Sequence, residues 1–383
     1  MSTTEAIIRT LSFPVIISLT LVACSQQKKG EADLPADMQN HEFLEYSGGQ
    51  AIFDPEDVIR ADSNWKILLA CLTPKTRVEL RQSGISFAES QLMLLRAMGL
   101  IRIDDGKDQS GVIKTVMPIL GARAKQMLDR ELRGLARSVT TEIEGDLRLL
   151  RGALNQAGYE ERLFTIFFSF VADGLVWIPL RTQGVVSEFK LTPEKPLYDG
   201  VFWGYYPKRA FRCGTNIALG NDLYVLLTWS DGPRGKIQAI FNWPNLRRIH
   251  KDLAEHGRIT DVQLLRALEP YGIVNNSGVL TVPIIELKGT DLIFLVCQKM
   301  ALSIVRLVTQ KMDTDRLCRE YGFSDKEKAF VVAYHEWMWE LMEELVDRGL
   351  VKKPLAFAKP EEAGPREIGQ LLFVAKGSIN PPK

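Results

Sequence analysis

Two stretches of this chain read alike, and the repeat dictates much of what it can fold into. The first runs Gln91-Leu92-Met93-Leu94-Leu95-Arg96-Ala97-Met98-Gly99-Leu100-Ile101, crosses a polar loop, and resumes from Gly111 to Leu120. The second runs Gln263-Leu264-Leu265-Arg266-Ala267-Leu268-Glu269-Pro270-Tyr271-Gly272-Ile273-Val274, crosses Asn275-Asn276-Ser277, and resumes from Gly278 to Ile285. Each predicts a helix, a closing Gly, a short strand, a turn and a second strand. Gly ends such helices because it adopts the left-handed conformation that other residues resist. The polar loop then turns a hairpin. A third, less complete copy runs from Leu341 through Arg348-Gly349 to the strand Gln370 to Ala375, with Pro354, Pro360 and Pro365 in its loop.

Helices precede each copy. Asp54-Pro55-Glu56-Asp57 offers a capping Asp and a Pro at the first helical position. Pro74 to Ser83 predicts a second short helix. Asn245 to His256 predicts a helix ending at Gly257, and Ser324-Asp325-Lys326-Glu327 reads as a capping box. In order of elements, Asp54 to Leu120 resembles a winged-helix domain, and the later copies resemble it less fully. The resemblance is one of topology, without a diagnostic motif.

Leu120 to Leu154 predicts one long helix. Leu128, Leu132, Leu135, Val139, Ile143, Leu147, Leu150 and Leu154 fall three or four apart on one face. Such a stripe suits either a core helix or the seam of a dimer. The apolar run Leu163 to Leu180 is broken by Asp173, Gly174 and Pro179, which predicts a buried helix ending near Gly174 and then a strand. Asn216 to Leu219 and Leu223 to Trp229 flank Gly220-Asn221-Asp222, a hairpin turn. Ile237 to Trp243 suits a third strand.

The expected fold class is α+β, mainly helical, with tandem winged-helix-like units and a small antiparallel β-sheet. Residues 1–23 read as a signal peptide, 24–53 as a polar tether and 54–120 as the first unit. Then come long helices over 121–180, an antiparallel β block over 181–244 and a second unit over 245–288. A helical region with a third wing fills 289–383.

The signal peptide rests on Leu21-Val22-Ala23-Cys24, which closes an apolar run from Leu11. That run is too short for a bilayer, which needs about 20 apolar residues, but it suits a secretory signal. An aliphatic residue, two small or aliphatic residues and then Cys resembles the lipobox of bacterial lipoproteins. By that resemblance Cys24 is the lipidation site, and Ser25 after it fits the outer membrane if the cell is Gram-negative. Several acyl chains anchor a protein stably where one does not. The competing reading is a short buried N-terminal helix.

The other cysteines, Cys71, Cys213, Cys297 and Cys318, have no metal-ligand spacing. Cys71 and Cys297 sit in apolar runs, and a Cys297–Cys318 disulfide is open in an oxidising compartment. With 48 basic and 47 acidic residues the chain carries no global attraction to nucleic acid. The candidate recognition helices carry Glu89, Gln91 and Arg96, or Asp261, Gln263 and Arg266, too few cations for many phosphate contacts. The basic run Arg247-Arg248-Ile249-His250-Lys251 reads as a solvated face.

His335-Glu336 lacks the second His of a zinc-protease helix, because position 339 is Trp. Glu336, Glu340 and Glu343 share a face that reads as solvated. Neither a catalytic constellation nor a cofactor or metal motif stands out. The aromatic block Val201 to Phe211 is the candidate ligand or partner surface, through Trp203, Tyr205, Tyr206, Lys208 and Arg209. Lys208, Arg209 and Arg212 would favour an anionic partner, while the competing reading is a sheet core. The expected role is a lipid-anchored envelope protein that binds or scaffolds partner proteins, non-enzymatic, without nucleic acid, with a dimer through the 120–154 helix open. The alternatives are a winged-helix DNA-binding regulator with an uncleaved signal, and an envelope hydrolase in which His335 or another His meets carboxylates in a cleft.

Overall fold

The computed structural model describes residues 34–49, 51–104, 111–220, 222–230 and 242–378. The signal peptide, Cys24 and residues 237–241 of the expected third strand lie outside the described residues. The fold is mixed, about 51% helix and 15% strand in small sheets, so helices make most of the packing surfaces.

The chain enters through strand β1 (Glu42–Tyr46), inside the segment expected to be tether. Its alternating Phe43 and Leu44 are both buried, which anchors it. Helices α1 (Pro55–Arg60) and α2 (Asn64–Ala70) follow. Asp54 caps α1 by accepting the Glu56 N–H at 2.7 Å. Then come β2 (Lys75–Thr76), α3 (Arg77–Gln82), α4 (Glu89–Ala97), β3 (Ile101–Asp104) and β4 (Val112–Thr115). The three strands form a sheet in the order β2-β4-β3. This unit has its own core, including Ile59, Trp65, Leu68, Leu92, Leu95 and Ile113.

After β5 (Ile119–Leu120), α5 spans Ala122–Gln156. Its apolar stripe is buried inside the chain, from Leu128 to Leu154. Next, α6 covers Glu160–Thr182. It is composite: a 3-10 turn at Glu160–Arg162, a short α segment, a π-helix at Ile166–Leu175 and an α-helix at Trp177–Thr182. The strand expected after Gly174 is therefore helix. The widened turn carries the chain past Gly174, where a Cβ would lie 2.8 Å from the Ser169 carbonyl oxygen.

Strand β6 (Val201–Tyr205) pairs antiparallel with β1 and parallel with β5. Strands β7 (Cys213–Gly220) and β8 (Leu223–Ser230) form the expected hairpin, with Asp222 at φ 55°. Helix α7 (Trp243–His256) ends at Gly257 in the left-handed conformation, φ 68°. Arg248 in its basic run pairs with Asp261. Asp261 in turn caps α8 (Val262–Leu268). The second hairpin shrinks to one antiparallel bridge, Val274 with Leu280. Beyond it, β9 (Ile284–Glu286) leaves to join another sheet.

Helices α9 (Leu292–Lys311) and α10 (Thr314–Tyr321) lead to α11 (Lys326–Asp347). Asp325 caps α11 alone, and Glu327 instead accepts from the Ser187 N–H and hydroxyl. The third wing does not form. Residues 350–371 hold two short helices, α12 (Leu355–Ala358) and α13 (Pro365–Gly369), because Pro354 and Pro365 open helices here. Strand β10 (Leu372–Lys376) instead joins the sheet β7-β8-β10-β9, antiparallel to β8 and parallel to β9.

The α5 stripe packs on α9 and α11, so this face is core. By length and composition, α6 and α9 are long and apolar enough to cross a membrane. Most of the α6 span is buried in the protein. Helix α9 is ion-paired along its open face, Lys299 to Asp146 and Arg306 to Glu142. Cys71, Cys213, Cys297 and Cys318 are free thiols, so the Cys297–Cys318 pair is not made. Cys297 faces the core from α9, while Cys318 is half-buried on α10.

Candidate functional site

A cleft of about 1050 Å³ opens where β1, α6, β6, the β7–β8 hairpin and α11 meet. Each element contributes one face. Tyr46 comes from the end of β1. Asp173, Trp177 and Arg181 come from α6, and Trp203 comes from β6. Thr215, Asn216 and Trp229 come from the hairpin, and His335, Met338 and Trp339 from α11. Positions 335, 338 and 339 share one face of a helix, since residues three and four apart are neighbours.

The deep end is a cluster of rings. His335 stacks on Trp177 at 5.3 Å between centroids and lies 5.0 Å from Trp203. Tyr46 sits 4.1 Å from Trp177. At the mouth, Arg181 donates to the Tyr46 hydroxyl at 2.8 Å and lies over the Phe189 ring at 4.8 Å.

Three polar groups are set among these rings. The His335 Nδ1–H donates to the Val331 carbonyl at 2.8 Å, because a carbonyl can only accept. That leaves His335 Nε2 as an acceptor, 4.0 Å from Asp173 Oδ1. This gap is too long for a direct hydrogen bond. The Trp203 Nε1–H is buried and finds no acceptor among the described residues. A buried donor without an acceptor costs about 1–3 kcal/mol.

Burial pushes the Asp173 carboxyl up to about 7, against hydrogen bonds from Thr215 and Trp177 that favour its charge. Burial pulls His335 down to about 4, against its bond to Val331. The two shifts act oppositely on stability. The Asp173 contribution is full below the ordinary carboxylate range and is lost as pH rises towards 7. The His335 contribution is full above about 6.5 and is lost as pH falls towards 4. Relative to the parent, Asp173→Asn should therefore gain stability as pH rises from 4 to 7, and His335→Gln should lose it from 4 to 6.5. Urea denaturation across pH 4–8 measures both, and parent-like slopes in both variants would refute the assignment.

Beside the cleft lies a buried ionic cluster. Arg209 reaches Asp129 at 3.0 Å, Glu336 at 3.1 Å and Glu340 at 3.2 Å. Lys125 pairs with Asp129 at 2.6 Å, and Arg133 with Glu340 at 2.9 Å. Burial opposes the Arg209 charge, but Glu336, Asp129 and Glu340 outweigh it and hold its pKa above the ordinary value. Burial pushes the Glu336 carboxyl up, partly countered by Arg209 and Lys125. The α11 acidic face, expected to be solvated, is thus largely internal, with Glu336 and Glu340 buried and Glu343 half open.

Of the five residues singled out in the aromatic block, only Trp203 lines the cleft. Tyr205 is buried and donates to Glu42 at 2.9 Å. Tyr206 is half-buried beside His41. Lys208 is exposed. Arg209 and Arg212 are held by internal carboxylates, Arg212 by Glu42. Asp173, Trp177, Thr215, Trp229 and Trp339 also line the cleft, and no local motif marks them as site residues. The one usable signal was a lone carboxylate, Asp173, inside an apolar run. Among the described residues no cluster of three His, Cys, Asp or Glu is placed to hold a metal ion. No family model, curated protein or solved structure matches the chain.

Proposed function

We propose that the chain is a non-enzymatic binding protein, held to a bacterial envelope membrane through Cys24, that takes a ligand into the aromatic cleft. The observation that carries this reading is the cleft itself. Its volume of about 1050 Å³ is at the upper end for small-molecule sites. Ten Phe, Tyr and Trp side chains line it alongside polar groups that include Asp173, Thr215, Asn216 and His335, and such a mixture combines affinity with orientation. Binding is favoured over hydrolysis by the surroundings of His335. Its Nε2 has a carboxylate nearby, but among the described residues no hydroxyl or thiol is hydrogen-bonded to it. A hydrolase would use such a nucleophile or a positioned water.

A docking role for the first unit is supported by its strand order. The order α1-α2-β2-α3-α4-β3-β4, with the sheet β2-β4-β3, resembles that of a winged helix. In that unit Arg77 and Arg81 both pair with Glu89 at the start of α4, so protein contact suits the helix better than phosphate contact.

The anchor is tested by fractionation. Cys24→Ser should move the chain from the membrane to the soluble fraction, and the parent's intact mass should carry the added acyl chains. A variant that fractionates and runs like the parent would remove the anchor from the reading. A gene-control role would then move forward, to be tested by salt-dependent duplex affinity.

A further inference from the structure

We infer that the deep end of the cleft is a hydroxyl-recognition subsite for an uncharged sugar, with one hydroxyl bridging His335 Nε2 and Asp173. This rests on the reading of the cleft as a ligand site. The gap between His335 Nε2 and Asp173 Oδ1 is 4.0 Å. A single oxygen about 2.8 Å from each atom closes it at an angle of roughly 90°. A hydroxyl fits there because it gives one hydrogen and receives another. It donates to Nε2, whose partner nitrogen already holds its proton against Val331. It accepts from Asp173 in the protonated form.

A second ligand oxygen is called for by Trp203. Its ring lines the cleft, and its N–H is without an acceptor among the described residues; that N–H is closed to solvent, so the ring must turn for a ligand oxygen to reach it. Several hydroxyls on one small ring satisfy both positions, and the C–H faces of a sugar lie against indole. Tyr224 and Trp229, half-buried on the hairpin wall, supply rings nearer the mouth. An anionic sugar is disfavoured because the lining carboxylates Glu45, Asp54, Glu56 and Glu188 outnumber the lining cations Arg181 and Arg212.

The protonation of Asp173 gives the inference a readout. An ionised Asp173 and His335 Nε2 are both acceptors, and one hydroxyl has one hydrogen to give. Sugar affinity should therefore fall as pH rises through about 7. An amine has hydrogens for both and would follow the opposite course. The other titratable and charged groups around the pair are Glu45 and Tyr46 on β1, Asp54 and Glu56 at the start of α1, Arg181 on α6, Glu188 after it, Arg212 before β7 and Tyr334 on α11. Burial pushes both phenols well up, out of this range, and also raises Glu45.

The experiment titrates full-length protein with neutral di- and tetrasaccharides of glucose and of N-acetylglucosamine, following tryptophan fluorescence at pH 5.5, 7 and 8.5. An uncharged naphthalene dye serves as a sugar-free probe of the cleft. The expected result is saturable binding of a neutral sugar, at least tenfold weaker at pH 8.5 than at 5.5. Trp203→Phe, which keeps the ring and removes the N–H, should weaken it about tenfold. Asp173→Asn should bind with little pH dependence, since its amide still donates. Dye binding without any sugar binding overturns the sugar assignment and leaves the cleft. Failure of both overturns the ligand reading too. Affinity that rises with pH overturns the bridging hydroxyl, as does a pH midpoint that moves with Glu45→Gln rather than Asp173→Asn.

Discussion

Replacing Arg209 by Met is expected to destabilise the protein by about 3–5 kcal/mol, because it strands buried carboxylates without their counter-charge. Glu336 is fully buried and Glu340 nearly so. Arg209 is the group that reaches both, together with Asp129. Lys125 remains near Glu336 at 3.5 Å, and Arg133 remains on Glu340, so the loss is large but short of complete. Arg209 also lies over the Trp339 ring at 5.4 Å, a contact that Met only partly replaces. Arg209→Lys should fall between parent and Met, since one ammonium cannot fork to three carboxylates. Adding Glu336→Gln to Arg209→Met should recover part of the loss, because the stranded charge goes with it. Urea denaturation midpoints at pH 7 give all three. A Met variant within about 0.5 kcal/mol of the parent would mean the cluster behaves as surface pairs do.

Ile143→Asp should be as severe, and it separates two readings of the α5 stripe. Ile143 is fully buried against the chain's own helices. A lone carboxylate there loses its hydration and gains no partner, so the expected cost exceeds about 4 kcal/mol. The variant should lose its cooperative unfolding transition. If the stripe were the seam between two copies, the same change would leave a folded chain of smaller elution size. Leu149→Asp is the control on the same helix. Its side chain is 59% exposed, so a change within about 0.5 kcal/mol is expected. Circular dichroism and size exclusion on both variants decide between the two.

Local signals carried much of the fold. The three-and-four spacing from Leu128 to Leu154 marked α5, Asp54 marked the start of α1, and Gly257 marked the end of α7. Gly220 to Asp222 marked the β7–β8 turn. Each of these is decided within a few residues. Strand β1 was hidden because it is five residues long and its partner β6 lies far along the chain. The third wing failed for a related reason: β10 forms, with Leu372 to Ala375 all buried, but its neighbours are β8 and β9.

The site was least legible of all. Asp173 and His335 meet only through the packing of α6 against α11, and no spacing within either helix announces it. The Glu336 and Glu340 face looked solvated because the cations that cover it come from α5 and from the segment before β7.

Strand β6 faces two ways. Trp203 points with Leu44 into the larger core, while Phe202 points with Phe43 into the core of the first unit. Gly204, the next residue after Trp203, leaves room for the Phe43 ring, which would stand 2.9 Å from any Cβ there. The strand is a party wall, and the two rooms cannot be sold separately. Cutting the chain after Leu120 would strip the smaller room of Phe202 and Tyr198, leaving its remaining apolar side chains open to water. The smallest portion that can stand alone is thus set by where β6 lies, well past the last strand of the unit it completes.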